Sequence, residues 1–129
     1  MIKEKYLGII SRDVIWATEA DTAQHVATLM KNHSISAVVI KRGEDIVGMV
    51  SERELTTEIV ANAKNPEMTL VSEIMNRKVI KLEFKEGLNK IYQTLCEVDF
   101  KHLLIMHDSK LVGITSRKDL LDALTGKKS

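Results

Sequence analysis

Little in this 129-residue chain is suited to covalent chemistry. Its one cysteine, Cys96, cannot form an internal disulfide and fits a reducing compartment, so a cytoplasmic location is expected. No set of His, Cys and Asp has zinc-ligand spacing, and His25, His33 and His107 read as solvent-facing imidazoles. No nucleophile–base set and no paired catalytic carboxylates stand out, so the chain is not expected to be an enzyme. An excess of charge of one sign is missing too: 19 Lys and Arg face 18 Asp and Glu, for a formal charge of +1. Nucleic acid and anionic membrane surfaces therefore gain no electrostatic purchase, and neither is expected as a partner. No run approaches the roughly 18 apolar residues of a membrane span. Lys3, Glu4, Lys5, Arg12 and Asp13 interrupt any signal-peptide layout. Apolar residues at 44% and charged residues at 29% are ordinary for a globular domain, which excludes a disordered chain.

What is present is a repeat. Sliding the sequence by 65 residues gives a gapless self-alignment over most of its length. Ile9, Arg12, Val14 and Ile15 meet Ile74, Arg77, Val79 and Ile80, and Ile40, Val47, Gly48, Ser51 and Leu55 meet Ile105, Val112, Gly113, Ser116 and Leu120. The hydrophobic phase repeats as well. Ala23, Val26, Ala27 and Met30 form one face of a helix, and Leu88, Ile91, Tyr92 and Leu95 form its counterpart. Each copy continues with an apolar run (37–40, 103–106), a polar turn (42–45, 107–110) and a second run (46–50, 111–115) that closes a hairpin. A second helix is expected to begin at Ser51 and at Ser116, and the first strands are placed at 13–17 and 78–82. Asp21 with Gln24 has the form of a capping box for the first helix. Each half therefore reads β-α-β-β-α. The expected division is a first motif at 7–62, a linker at 63–70 holding the only proline, Pro66, and a second motif at 71–126. A half of about 60 residues buries too little surface to be comfortable alone, so the copies should share a core.

The doubled helix starts carry readable chemistry. The beginning of a helix offers unpaired N–H groups and partial positive charge, a natural seat for phosphate. Ser51 and Ser116 add a hydroxyl there, Arg53 and Lys118 a cation, and Glu54 and Asp119 a carboxylate able to accept from ribose hydroxyls. The plainer alternative is that Ser51 with Glu54, and Ser116 with Asp119, simply cap their helices, each cap contributing about 1 kcal/mol.

The stretches Gly48-Met49-Val50-Ser51-Glu52-Arg53-Glu54-Leu55 and Gly113-Ile114-Thr115-Ser116-Arg117-Lys118-Asp119-Leu120 resemble the signature of a tandem pair of cystathionine-β-synthase domains, a CBS pair or Bateman module. Ser72-Glu73-Ile74-Met75-Asn76-Arg77-Lys78-Val79-Ile80 is similar to that family's lead-in segment, and the resemblance covers residues 7 to 125. It implies an α/β (α+β) fold of two repeated motifs packed with pseudo-twofold symmetry. It also implies a regulatory sensor with no tightly bound cofactor. Such a sensor binds an adenosine-containing ligand (AMP, ADP, ATP, NAD or S-adenosylmethionine) in clefts between the motifs. With no effector domain attached, occupancy would be relayed to a separate effector protein, and a homodimer is expected.

By the same resemblance, Asp119 would hold ribose, with Ser116 and Lys118 at the phosphate and Ser11, Asp13 and Ile15 beside them. In the other cleft Glu54 would hold ribose, with Ser51 and Arg53 at the phosphate and Asn76, Lys78, Ile80 and His102 alongside. Glu54 departs from the family's Asp, and its longer side chain moves the carboxylate outward. The proline commonly found before the inner strand is absent, leaving Ala37 and Leu103 in that region. Met30, Met49, Met75 and Met106 are expected to pack, and Cys96 to be a core or interface thiol. Trp16 is either a stacking platform for a base or an exposed or dimer-contact ring. The competing function is a ligand-independent scaffold that dimerises or docks a protein.

Overall fold

A computed structural model of the chain describes residues 14–97 and 102–116, apart from the side chains of Leu88, Tyr92, Leu95 and Glu97. The fold is mixed α/β, with two three-stranded sheets in the strand orders β1-β2-β3 and β4-β5-β6. The chain divides into two compact units, one spanning Ile15–Val79 and the other holding the described residues from Ile80 on.

In the first unit, β1 (Trp16–Thr18) runs parallel to β2 (Ala37–Arg42), which pairs antiparallel with β3 (Asp45–Ser51). The parallel pair is joined through α1 (Ala23–His33), as a crossover connection requires. Its inward face is the one the periodicity marks: Ala23, Val26 and Met30 are buried. They join Val38, Ile40, Val50 and Ile59 in one core, where each fully buried aliphatic side chain stabilises the fold by about 1.5–3 kcal/mol. The cap of α1 differs from expectation. Thr22, not Asp21, is the N-cap, its hydroxyl accepting from the His25 N–H at 3.1 Å. Asp21 instead accepts from the Thr18 N–H at 2.8 Å and closes the turn leaving β1. The connector supplies further caps, because the carbonyls of Thr69 and Pro66 accept from Ala23 and Gln24 at 2.9 and 3.0 Å.

After β3 the chain turns at Ser51 into α2 (Glu52–Glu54), and the helix then widens into π-helical turns over Leu55–Val60. The cause is local. The Thr56 and Thr57 hydroxyls donate to the carbonyls of Glu52 and Arg53, each at 2.9 Å. They compete with the backbone for acceptors four residues back. The Ala61 and Lys64 N–H groups reach the carbonyls of Thr56 and Ile59, five residues back, at 2.9 and 3.0 Å. A short helix, α3 (Val71–Ile74), follows the connector and buries Val71 and Ile74 in the same core.

The second unit repeats the plan with β4 (Lys81–Glu83), a 3₁₀ turn (Phe84–Glu86), α4 (Gly87–Glu97), β5 (His102–His107) and β6 (Lys110–Ser116). The two ladders match residue for residue at the 65-residue offset. Trp16 faces Val39 as Lys81 faces Leu104, and Ala37 faces Ser51 as His102 faces Ser116. Even the bulge repeats, falling between Ile40 and Lys41 and between Ile105 and Met106.

One further expectation needs correction. The first strands, expected at 13–17 and 78–82, lie at Trp16–Thr18 and Lys81–Glu83, starting three residues later and ending one later. The Ile15 and Ile80 carbonyls do accept from Val39 and Leu104, both at 3.0 Å, but pairing proper starts only after them. Cys96 is exposed on α4, which leaves the interface alternative of the two expected for it.

Candidate functional site

The first-copy signature sits where β3 ends. Residue 51 is the last of the strand, opposite Ala37, and the Glu52 N–H donates to the Ser36 carbonyl at 3.0 Å. This fixes the direction in which the helix leaves the sheet. Glu54 folds back over that turn. Its Oε1 accepts from the Ser51 N–H at 2.6 Å and from the Ser51 hydroxyl at 2.7 Å, while the hydroxyl oxygen accepts from the Arg53 N–H at 3.3 Å. This is a closed capping box with a charged acceptor, the stronger kind of hydrogen bond. Ser51 and Glu54 are half-buried and Arg53 is exposed.

The lead-in segment of the second copy meets this turn from the far edge of β3. Met49 and Asn76 form an antiparallel bridge with both backbone bonds made, at 3.0 and 2.8 Å. The Asn76 side chain accepts from the Lys78 N–H at 2.9 Å, bending the chain just past the bridge. The signature glycine makes the approach possible, for a Cβ on Gly48 would lie 2.8 Å from Met75 Sδ and 3.0 Å from the Asn76 carbonyl oxygen. Sequence reasoning marked Gly48 only as part of a pattern. Its spatial role depends on a segment 27 residues on, which the one-dimensional pattern does not display.

Of the residues expected to hold a ligand, Ser51, Arg53, Glu54, Asn76 and Lys78 thus lie in one unit. Ile15 belongs to that unit as well, whereas Ser116, with which the resemblance groups it, closes β6 opposite His102 in the other. Ile80 and His102, grouped with Glu54, also lie in the second unit. Ser11, Asp13, Lys118 and Asp119 fall outside the described residues.

A charge cluster that the sequence did not reveal lies on the first unit. Glu19, in the turn after β1, takes both Arg42 Nε and Nη2 at 2.6 and 3.1 Å, and Arg77 Nη1 stands 3.9 Å away. The hydrogen bond from Arg42 is the main reason the Glu19 carboxyl titrates below its ordinary value, and the same bond raises the Arg42 guanidinium. Trp16 is 53% exposed, with the Lys41 ammonium 5.2 Å above its ring. That contact favours the exposed-ring reading and occupies one face of the indole. Among the described residues, no His, Cys, Asp or Glu group is placed to hold a metal ion, and no helix is long and apolar enough to cross a membrane.

The repeated ladder and the matching bulges are accompanied by a family match. The CBS domain profile fits residues 3–61 and 71–126, nearly the whole chain. This chain belongs to the CBS-domain family. An uncharacterised protein of Methanopyrus kandleri is 32% identical over 115 residues, 88% of this chain, and this chain spans only 59% of that relative's length. A CBS-domain protein from Burkholderia ambifaria superposes with a TM-score of 0.81 at 27% identity, covering 92% of this chain and 88% of that one. The hexameric CBS-CP12 protein of bloom-forming cyanobacteria superposes at 0.79 with 19% identity, over 94% of this chain and 70% of that one. At such identity the latter likeness is one of fold. As a CBS pair, the chain is of a kind that is commonly regulatory and non-catalytic.

Proposed function

We propose that this CBS pair is a sensor that binds an adenosine-containing ligand, of the AMP, ADP, ATP, NAD or S-adenosylmethionine class, and relays its occupancy to a separate effector protein. The reading rests chiefly on one observation: Ser51 and Ser116 end β3 and β6 at equivalent register positions, and each opens a Ser-x-x-acid sequence. A pair of serines held at the same place by two matching ladders supports a pair of equivalent clefts. The second copy offers the better binding group, with Asp119 for ribose, Ser116 and Lys118 for phosphate, and Ser11, Asp13 and Ile15 as neighbours. Glu54, Ser51 and Arg53 with Asn76, Lys78, Ile80 and His102 form the counterpart. Ligand occupancy acts by favouring one arrangement of the protein over another, by as much as its affinities for the two differ. The hexamer formed by the cyanobacterial CBS-CP12 protein supports self-association of this fold; that this chain is a homodimer, and in the cytoplasm, is part of the same proposal.

A thermal-shift panel of AMP, ADP, ATP, NAD and S-adenosylmethionine, run beside Asp119→Ala, tests this. A ligand at a hundred times its dissociation constant adds about 2.7 kcal/mol, a rise of several degrees at this size. The expected outcome is a shift with one ligand that vanishes in the variant. A normally folded protein that shifts with none of the five returns the scaffold reading.

A further inference from the structure

Asn76 stands where a helix is given up for a sheet. Were α3 to continue, the Asn76 N–H would reach the Ser72 carbonyl, four residues back. It donates instead to the Met49 carbonyl on β3, at 2.8 Å, and Met75 turns extended to let it do so. The Ser72 carbonyl deserted in this way is taken by Arg77, whose Nη2 donates to it at 3.1 Å. Basic side chains near a helix C-terminus fill its last carbonyls in this manner. Arg77 thus replaces the bond that the lead-in segment loses in crossing to β3.

Holding a long side chain in one place costs rotamer freedom, so a guanidinium used as a cap benefits from a second contact. Arg77 has one in Glu19, whose Oε2 lies 3.9 Å from its Nη1. Glu19 is itself well fixed. Its carboxylate takes the two-pronged contact from Arg42 at the end of β2, and its backbone carbonyl accepts from the Ser72 N–H at 3.3 Å. Its side chain is 21% exposed against 60% for Arg77, so the acid is the anchored member of the pair. Residue 19 therefore acts on both backbone groups of Ser72, on the N–H directly and on the carbonyl through Arg77. We infer that Glu19 is a positioning residue for the lead-in segment: it keeps Arg77 over the Ser72 carbonyl and so secures the crossing of Asn76 to β3. The inference concerns the protein before any ligand arrives. Only the assignment of the neighbouring Asn76 and Lys78 to a ligand cleft rests on the sensor reading, and the test below does not use it.

Amide exchange of the full-length, ligand-free chain, followed by NMR, tests this. The Met49 and Asn76 amides report the crossing, because each donates across it. The Val39 and Glu52 amides, which donate to the Ile15 and Ser36 carbonyls, report the same unit away from it and serve as the reference. Arg77→Met keeps the apolar stem but loses both contacts, and relative to the reference should speed exchange at Met49 and Asn76 about fivefold or more. Glu19→Gln should speed it about two- to fivefold, the range of a surface ion pair. The double variant should add little to Arg77→Met alone, since the acid acts through the arginine. At about 1 M salt, where charges are screened beyond about 3 Å, wild type and Glu19→Gln should converge, while the loss in Arg77→Met persists. Exchange in Glu19→Gln that keeps the wild-type ratio at low salt overturns the inference and leaves Arg77 a helix cap unaided. Effects of the two single variants that simply add also overturn it, because the acid would then act by another route.

Discussion

The two sheets share little sequence and nearly all of their geometry. At paired positions Val39 stands where Leu104 does, Met49 where Ile114 does, and Ala37 where His102 does. Yet every register pair and the bulge recur at the same offset. The differences collect where backbone bonds do not dictate the answer. The β2–β3 turn uses Gly43, at φ +63°, as its positive-φ residue, whereas the β5–β6 turn places both Asp108 and Ser109 there, at φ +50° and +64°. Both solutions suit a two-residue hairpin, the first because glycine has no Cβ to clash and the second because Asp tolerates the left-handed region. The ladder conserves the frame, and the frame tolerates new side chains wherever volume and polarity are kept.

That comparison is strained most by emptying equivalent core positions. Ile40 and Ile105 flank the two bulges and are fully buried, so Ile40→Ala and Ile105→Ala should each cost about 2–5 kcal/mol in urea denaturation. Losses differing by more than about 2 kcal/mol would show that the copies are alike in backbone only. Next comes Gly48→Ala, whose new methyl must push Met75 and the Asn76 backbone aside, at an expected cost of about 1–3 kcal/mol. An unchanged denaturation midpoint would mean that the lead-in segment yields freely.

The smallest effect belongs to a feature seen on the first unit, the Glu19–Arg42 pair. Its carboxyl titrates below the ordinary 4.5, so the pair's contribution is present above that pH and disappears as pH falls through the depressed value. Thermal midpoints measured between roughly pH 5 and pH 3 should therefore fall more steeply for the wild type than for Glu19→Gln. Parallel slopes would mean that exposure screens the pair fully.

The repeat was plain in the sequence because hydrophobic phase and ladder register are the same information written twice. Val38 and Ile40 face the core as the apolar runs imply, and Ala23, Val26 and Met30 keep their helical stripe. Boundaries were harder to read. Asp21 and Thr22 are both good caps, and only the Thr18 N–H, held nearby by the fold, decides which acts. The π-helical turns after Glu54 were hidden because the apolar spacing of Leu55 and Ile59 suits an ordinary α-helix equally well. The Ser-x-x-acid pairs were legible as positions but not as bonds. A cap and a ribose clamp share one spelling, and the distances at Ser51 read as a cap in the first copy.

The Met49–Asn76 bridge has a consequence for how such a chain can be divided. The boundary between sequence copies falls before Val71, but the backbone sews residues 71–79 onto the first unit. A fragment ending at residue 70 would strip the outer rim of β3, leaving the Met49 donor and acceptor facing water. It would also uncover the flat strip above Gly48 that Met75 now covers. An open strand rim of that kind is a template for pairing with another chain. One copy of this sequence is thus an incomplete object, and the piece it lacks is supplied by the beginning of the next.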